Sequence, residues 1–147
     1  MNAQRGFTLI ELLVVVALLA IVTAAATLAI RDPAQTQLER EAERLCALLE
    51  SARAEARTQG LPVRWRPRVA DDGSSQFQFE GLPAKHGLPE RWQGDAPAVI
   101  WNGTASALTL GPEPLLPPQS LTLRLNGAEV RVGSDGLSAF DIQRESK

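Results

Sequence analysis

A single carboxylate, Glu11, stands inside an otherwise uncharged stretch that runs from Phe7 to Ile30. An ionised group on a lone helix in hydrocarbon costs about 3 kcal/mol or more, so Glu11 needs a compensating partner. It lies five residues after Gly6, and Arg5 and Arg31 bracket the stretch. A second chemically suggestive pattern is Arg64, Arg66 and Arg68, which alternate along one candidate strand and so share a face. Trp65 then falls on the other face with Val63 and Val69. A basic strand face with Trp92 and Trp101 elsewhere in the chain has the residue types of a nucleic-acid surface. The whole chain, however, carries 15 Lys and Arg against 17 Asp and Glu. That balance argues against nucleic acid as a partner and for a solvated or edge-protecting arginine face, with Trp65 in the core. Pro67 suits an edge strand, where a missing N–H is tolerated.

The remaining candidates do not assemble into a reactive site. His86, between Lys85 and Gly87, reads as an exposed loop residue with no nucleophile or carboxylate partner in view. Cys46, the lone cysteine, cannot close an internal disulfide and reads as a small buried apolar residue on a helix. One histidine and one cysteine leave no set for a transition metal. Asp135, Asp141 and Glu145 are too sparse for calcium, which takes six to eight oxygens. Asp71-Asp72 and Ser134-Asp135-Gly136 read as turn chemistry. We therefore read no catalytic residues, no metal and no cofactor, and no enzyme.

The elements that must carry these residues follow from periodicity. From Leu12 to Ile30 there are nineteen uncharged residues, about 28 Å of helix at ~1.5 Å per residue, which predicts a membrane-spanning segment over 7–30. The short basic leader favours an N-terminus on the cytoplasmic side. An ordinary secretory signal cut near Ala24-Ala25-Ala26 is the alternative, and the unbroken run to Ile30 argues against it. Asp32-Pro33 punctuates the chain. Asp32 with Gln35 has the spacing of a capping box, with Pro33 at the first helical position. Leu38, Ala42, Leu45, Leu49, Ala52 and Ala56 then recur at alternating steps of four and three, one face of an amphipathic helix over 31–60. Cys46 and Leu48 widen the stripe. Glu39, Arg40, Glu43, Arg44, Glu50, Arg53 and Arg57 lie opposite it and read as a solvated face of weak ion pairs, Glu39 and Glu43 with Arg40 and Arg44, and Glu50 with Arg53. Gly60 and Pro62 end the helix.

Beyond residue 60 the pattern becomes β. Candidate strands are 63–69, 76–80, 98–101, 107–110, 121–125, 129–132 and 137–142. Asn126-Gly127 between two alternating runs is the strongest hairpin signal. Residues 71–75 and Asp135-Gly136 give further turns, and the proline- and glycine-rich stretches 81–97 and 111–119 read as loops. The fold class is α+β: a long N-terminal helix whose amphipathic second half packs on a small antiparallel β-sheet or β-sandwich spanning 61–147.

Gly6-Phe7-Thr8-Leu9-Ile10-Glu11, set directly before the apolar run, resembles the class III signal of type IV pilins and type II secretion pseudopilins. The resemblance implies a leader over 1–6, cleavage between Gly6 and Phe7 by a membrane prepilin peptidase, and N-methylation of Phe7. Glu11 then matches the family's glutamate that meets the N-terminal amine of a neighbouring subunit during filament assembly. Such a pair attracts by about 4 kcal/mol at ~4 Å and an effective dielectric near 20. Desolvation removes much of that, so the pair sets registry more than stability.

The helix Glu41–Ala56 and the segment Val130-Arg-Val-Gly-Ser-Asp-Gly-Leu137 are similar to minor pseudopilin H of type II secretion, within a superfamily that includes FimT/FimU-type minor pilins. The resemblance implies a single-pass protein of the bacterial inner membrane with a periplasmic C-terminal domain, incorporated near the tip of a periplasmic filament. The implied partners are other minor pseudopilins, the major pseudopilin, the peptidase/N-methyltransferase and the inner-membrane assembly platform. A FimT/FimU-type pilus or competence subunit, with DNA as ligand through Arg64, Arg66 and Arg68, is the competing reading.

Overall fold

A computed structural model describes residues 8–29 and 33–143, with side chains in the first helix described as far as residue 23. Two compact units are distinguished, Met1–Asp32 and Pro33–Lys147.

Within the first unit, α1 spans Leu9–Ala29. Thr8 caps it: its carbonyl accepts from the Glu11 and Leu12 N–H groups at 3.1 and 3.2 Å, and its hydroxyl from Glu11 N–H at 3.4 Å. These bonds satisfy donors that every helix start leaves open. Thr23 turns its hydroxyl back on the Leu19 and Ala20 carbonyls at 2.8 and 3.0 Å, so this polar group is satisfied within the helix. Among the described residues no helix is long and apolar enough to cross a membrane. The uncharged run in the sequence continues past the last described side chain to Ile30.

In the second unit, α2 spans Pro33–Gln59. Pro33 occupies the first helical position, as its missing N–H and fixed φ favour. Asp32, and any kink ahead of Pro33, lie outside the described residues. Gln35 donates to Glu39 at 2.8 Å, one turn ahead. The apolar stripe is the buried face: Leu38, Ala42, Leu45, Cys46, Leu49, Ala52 and Ala56 all enter the core, with Leu48 at its margin.

Seven antiparallel strands follow: β1 (Arg64–Val69), β2 (Ser75–Glu80), β3 (Ala98–Trp101), β4 (Leu108–Thr109), β5 (Gln119–Leu125), β6 (Ala128–Ser134) and β7 (Asp141–Gln143). They form two sheets, one in the order β2-β1-β4 and one in the order β3-β5-β6-β7. α2 lies on β5, β6 and β7. Leu121, Leu123, Val130 and Val132 meet the helix stripe, and Trp65, Phe77, Phe79, Leu108 and Leu110 from the other sheet complete one core. Trp65 and Phe77 are wholly buried and their rings lie 5.8 Å apart. The fold is α+β, a helix packed on antiparallel sheets.

The hairpin β5–β6 closes through Asn126-Gly127, with Leu125 opposite Ala128. Both turn residues have positive φ, 49° and 87°, the backbone of a type I′ turn. The last strand is shorter than its sequence pattern predicts. Asp135 Oδ1 accepts from the Leu137 and Ser138 N–H groups at 2.9 and 2.7 Å, which folds 135–138 into a turn and delays pairing until Asp141. Gly136 is required there: its φ is +91°, and a Cβ would land in the Leu116 carbonyl. Val69, expected inside with Trp65, is exposed at the end of β1.

Candidate functional site

Gly6 and Phe7 lie outside the described residues. Glu11 sits in the first turn of α1. Its backbone N–H is taken by Thr8, while its carboxylate has no cation within ion-pair distance among the described residues. Thr8-Leu9-Ile10-Glu11 has the [ST]-x-x-E spacing of a capping box, a signal the sequence reading passed over. Only half of the box forms, since the Thr8 hydroxyl caps Glu11 and no return bond from the carboxylate is made. Negative charge in the first turn suits the helix dipole, yet the carboxylate stays available for an outside partner. Around it, eleven large apolar side chains between Leu9 and Val22 are exposed. An apolar surface of that extent marks a membrane or protein contact.

The arginine strand is built otherwise than a stacking platform for bases. β1 pairs along its length with β2, and with β4 only at Arg64 and Trp65. Among the described residues, no strand pairs with 66–69, Pro67 among them, on that second side. Arg66 pairs with Glu80 across the strands at 3.3 Å, whereas Arg64 and Arg68 are exposed and make no ion pair with the described residues. The tryptophans are spoken for. Trp65 is fully buried, Trp101 packs edge-on to it at 6.2 Å, and Trp92 packs edge-on to Phe77 at 4.8 Å.

The polar side of α2 departs from a solvated face. Arg53 is buried, its side chain 2% exposed, with Glu50 at 3.4 Å. Its guanidinium donates to the carbonyls of Ser138 and Gly136 at 3.0 and 2.9 Å, and Glu50 accepts from Phe140 N–H at 3.0 Å. The pair thus ties the turn before β7 to the helix. Glu41, also buried, accepts from Gln93 N–H at 2.9 Å and faces Arg44 at 3.4 Å, and Arg44 donates to the Arg91 carbonyl at 3.0 Å. These bonds hold the long loop over 81–97. Of the expected pairs Glu50–Arg53 forms, whereas Glu39 and Glu43 make none with Arg40 or Arg44, because Arg44 turns to Glu41 and the loop. Buried tethers between helix and loop leave no periodic trace in sequence, so periodicity alone assigns Arg44, Glu50 and Arg53 to a solvated face.

His86 is likewise not an exposed residue. Its side chain is 12% exposed, with Nε2 3.6 Å from Glu90, and Nδ1 accepts from Leu88 N–H at 3.0 Å. Burial pushes the Cys46 thiol up to about 12, with Asp141's negative charge adding to the effect. A groove of about 450 Å³ is lined by Glu39, Glu43, Glu129 and Arg131. Among the described residues no group of His, Cys, Asp or Glu comes together in a way that could hold a metal.

A capped apolar helix with one unpaired glutamate three residues inside, ahead of a helix packed on antiparallel sheets, defines a pilin-like class of protein. Residues 1–27 match the prokaryotic N-terminal methylation motif. Residues 41–136 match the family described as type II transport protein GspH. The chain belongs to that family, the pseudopilins of type II secretion. No curated protein and no solved structure matches it significantly.

Proposed function

We propose that this chain is a minor pseudopilin, a structural subunit of the periplasmic pseudopilus that drives export of folded proteins across the outer membrane. On this reading residues 1–6 are removed by the prepilin peptidase, Phe7 becomes the methylated N-terminus, and residues 7–30 anchor the chain in the inner membrane. Residues 31–60 and 61–147 lie in the periplasm as helix and β domain. Its neighbours are the other minor pseudopilins and the major pseudopilin, with the inner-membrane platform assembling them. Its role is structural rather than catalytic.

The observation that carries the proposal is Glu11: a carboxylate with no described partner in the first turn of an exposed apolar helix, within a segment that matches the methylation motif. A cationic N-terminus on an adjoining subunit would neutralise it where neither charge is stable alone. The glutamate also bears on position, since a subunit with nothing above it would have no use for that pairing. We therefore place this subunit just below the tip, between a tip complex and the shaft. The match over 41–136 to a type II family supports secretion over a pilus or competence role.

The test is genetic and biochemical together. Deleting the gene should abolish export of folded exoproteins, and Glu11→Ala should be processed and anchored normally yet fail to co-purify with the major pseudopilin. A Glu11→Ala chain that still enters filaments and restores export would overturn the pairing role.

A further inference from the structure

The β5–β6 hairpin presents a stretch of open backbone. Its two-residue turn makes Leu125–Ala128 a hydrogen-bonded pair, and such pairs recur at every second residue from there. Glu129 therefore turns its N–H and C=O away from β5, toward the side on which β7 lies. β7 pairs only with Arg131, Val132 and Gly133, through Gln143, Ile142 and Asp141. Among the described residues, no strand meets 128–130 on that side. An edge open in this way is a template for another extended segment.

The groove of about 450 Å³ lies at this edge, lined by Glu129, Val130 and Arg131 of β6, Gln143 at the end of β7 and Glu39 and Glu43 of α2, among others. Its charges are sorted by face. Glu39 and Glu43 stand on the helix side. Gln35 donates to Glu39 at 2.8 Å, and neither carboxylate has a cation within ion-pair distance among the described residues. Arg131 alternates with the buried Val130 and Val132, so it lies on the outer face of the sheet. There it donates to Ser120 Oγ at 3.0 Å and forms no ion pair with the described residues. Glu129, on the same outer face, is taken by Arg124. The groove is complemented by a strand that carries a cation toward the helix and an anion outward.

We propose that residues 144–147, Arg-Glu-Ser-Lys, occupy this groove and carry the pairing of β7 onward along β6, which closes the edge to other chains. The register continued from Arg131–Gln143 sets Arg144 opposite Val130 and Glu145 opposite Glu129. On that register Arg144 shares the face of Ile142, which packs against the core, and its guanidinium meets Glu39 and Glu43. Glu145 falls on the outer face, diagonal to Arg131, and its backbone takes both open groups of Glu129. Like charges directly opposite disfavour a pairing, but here Arg124 serves Glu129 and Arg131 serves Glu145. A strand from a second copy is the poorer fit, because the register already delivers 144–147 into the groove with no loop to close. The proposal stands apart from the filament reading, because neither Gly6 nor Glu11 enters it.

The test is amide hydrogen exchange, followed by NMR on the full chain in detergent. The Glu129 amide should exchange slowly, and at least about tenfold faster in Glu145→Pro, which removes the N–H that meets the Glu129 carbonyl. Arg144→Glu should speed it similarly, whereas Lys147→Glu, opposite the turn on this register, should alter it less than about twofold. Joining Arg144→Glu to Glu39→Lys/Glu43→Lys reverses the charges and should restore slow exchange. The Leu123 amide, bonded within β5–β6, should stay slow throughout and show each variant folded. A Glu129 amide that is as fast in the native chain as in Glu145→Pro would overturn the proposal, as would an equal effect of Lys147→Glu or no restoration by the reversed charges. Slow exchange untouched by Glu145→Pro would also overturn it, in favour of a second copy on this edge where dilution then speeds the exchange.

Discussion

Arg53 and Glu50 stand three residues apart on α2, a spacing that on an exposed helix contributes only tenths of a kcal/mol. Burial changes the magnitude. The Arg53 guanidinium reaches two carbonyls of the turn before β7, and removing it opens a void beside those acceptors and takes the cation from Glu50. Arg53→Ala should cost about 2–4 kcal/mol, read by urea unfolding followed through tryptophan fluorescence. Arg53→Lys should recover only part of the loss, because one ammonium cannot span both carbonyls. Cys46 gives a second prediction at this scale. Its thiol is pushed up to about 12 by burial and then by Asp141, so the native state holds the proton more tightly than the unfolded chain does. The associated stability is fully present below the ordinary thiol value and is lost as pH rises from there toward about 12. Iodoacetamide at mildly alkaline pH should therefore label Cys46 slowly in the native protein and quickly after denaturation, as followed by mass spectrometry. Rapid native labelling would show the thiol to be accessible.

At the scale of elements, the signals that the sequence carried were those of period and turn. The four-three stripe from Leu38 to Ala56 became the buried face of α2, and Asn126-Gly127 became the β5–β6 turn. All seven predicted strands appear, and β3 has the predicted ends. What was illegible depends on contacts distant in sequence. Asp135-Gly136 marks its turn locally, although not that the turn runs to Ser138 and shortens the last strand. Nothing local says that Arg53 and Glu41 will be turned inward to hold loops. The arginine strand was partly legible, since alternation gave its face and the buried Trp65, but not the hollow that Arg68 lines together with the loop holding Arg91. The stripe itself can be tested by adjacent substitutions. Leu49 is fully buried and Leu48 only half-buried, so Leu49→Ala should cost about 2–5 kcal/mol and Leu48→Ala about 1 kcal/mol or less in the same unfolding assay. Equal effects would mean that α2 presents a different face to the sheets.

For the whole molecule, the two units ask for different solvents. The second unit buries its own core from α2 and two sheets, whereas α1 exposes apolar side chains from Leu9 to Val22 and an unpaired Glu11. Such a helix needs lipid or other helices around it, and its glutamate needs a cation that the described residues do not supply. Membership of the GspH family and the methylation motif at 1–27 support the proposal that a filament of like helices supplies both. On the proposed reading, removing the leader creates an amine at Phe7, and a neighbouring copy of that helix type brings the amine to Glu11. The reading therefore stands or falls on maturation at Gly6. The decisive measurement is the intact mass and N-terminal sequence of the membrane-extracted protein, with and without Gly6→Ala. Pilin-type maturation predicts a chain that begins at N-methylated Phe7 and accumulates unprocessed when Gly6 is replaced. A wild-type chain that begins at Met1, or one cut near Ala26, would contradict it.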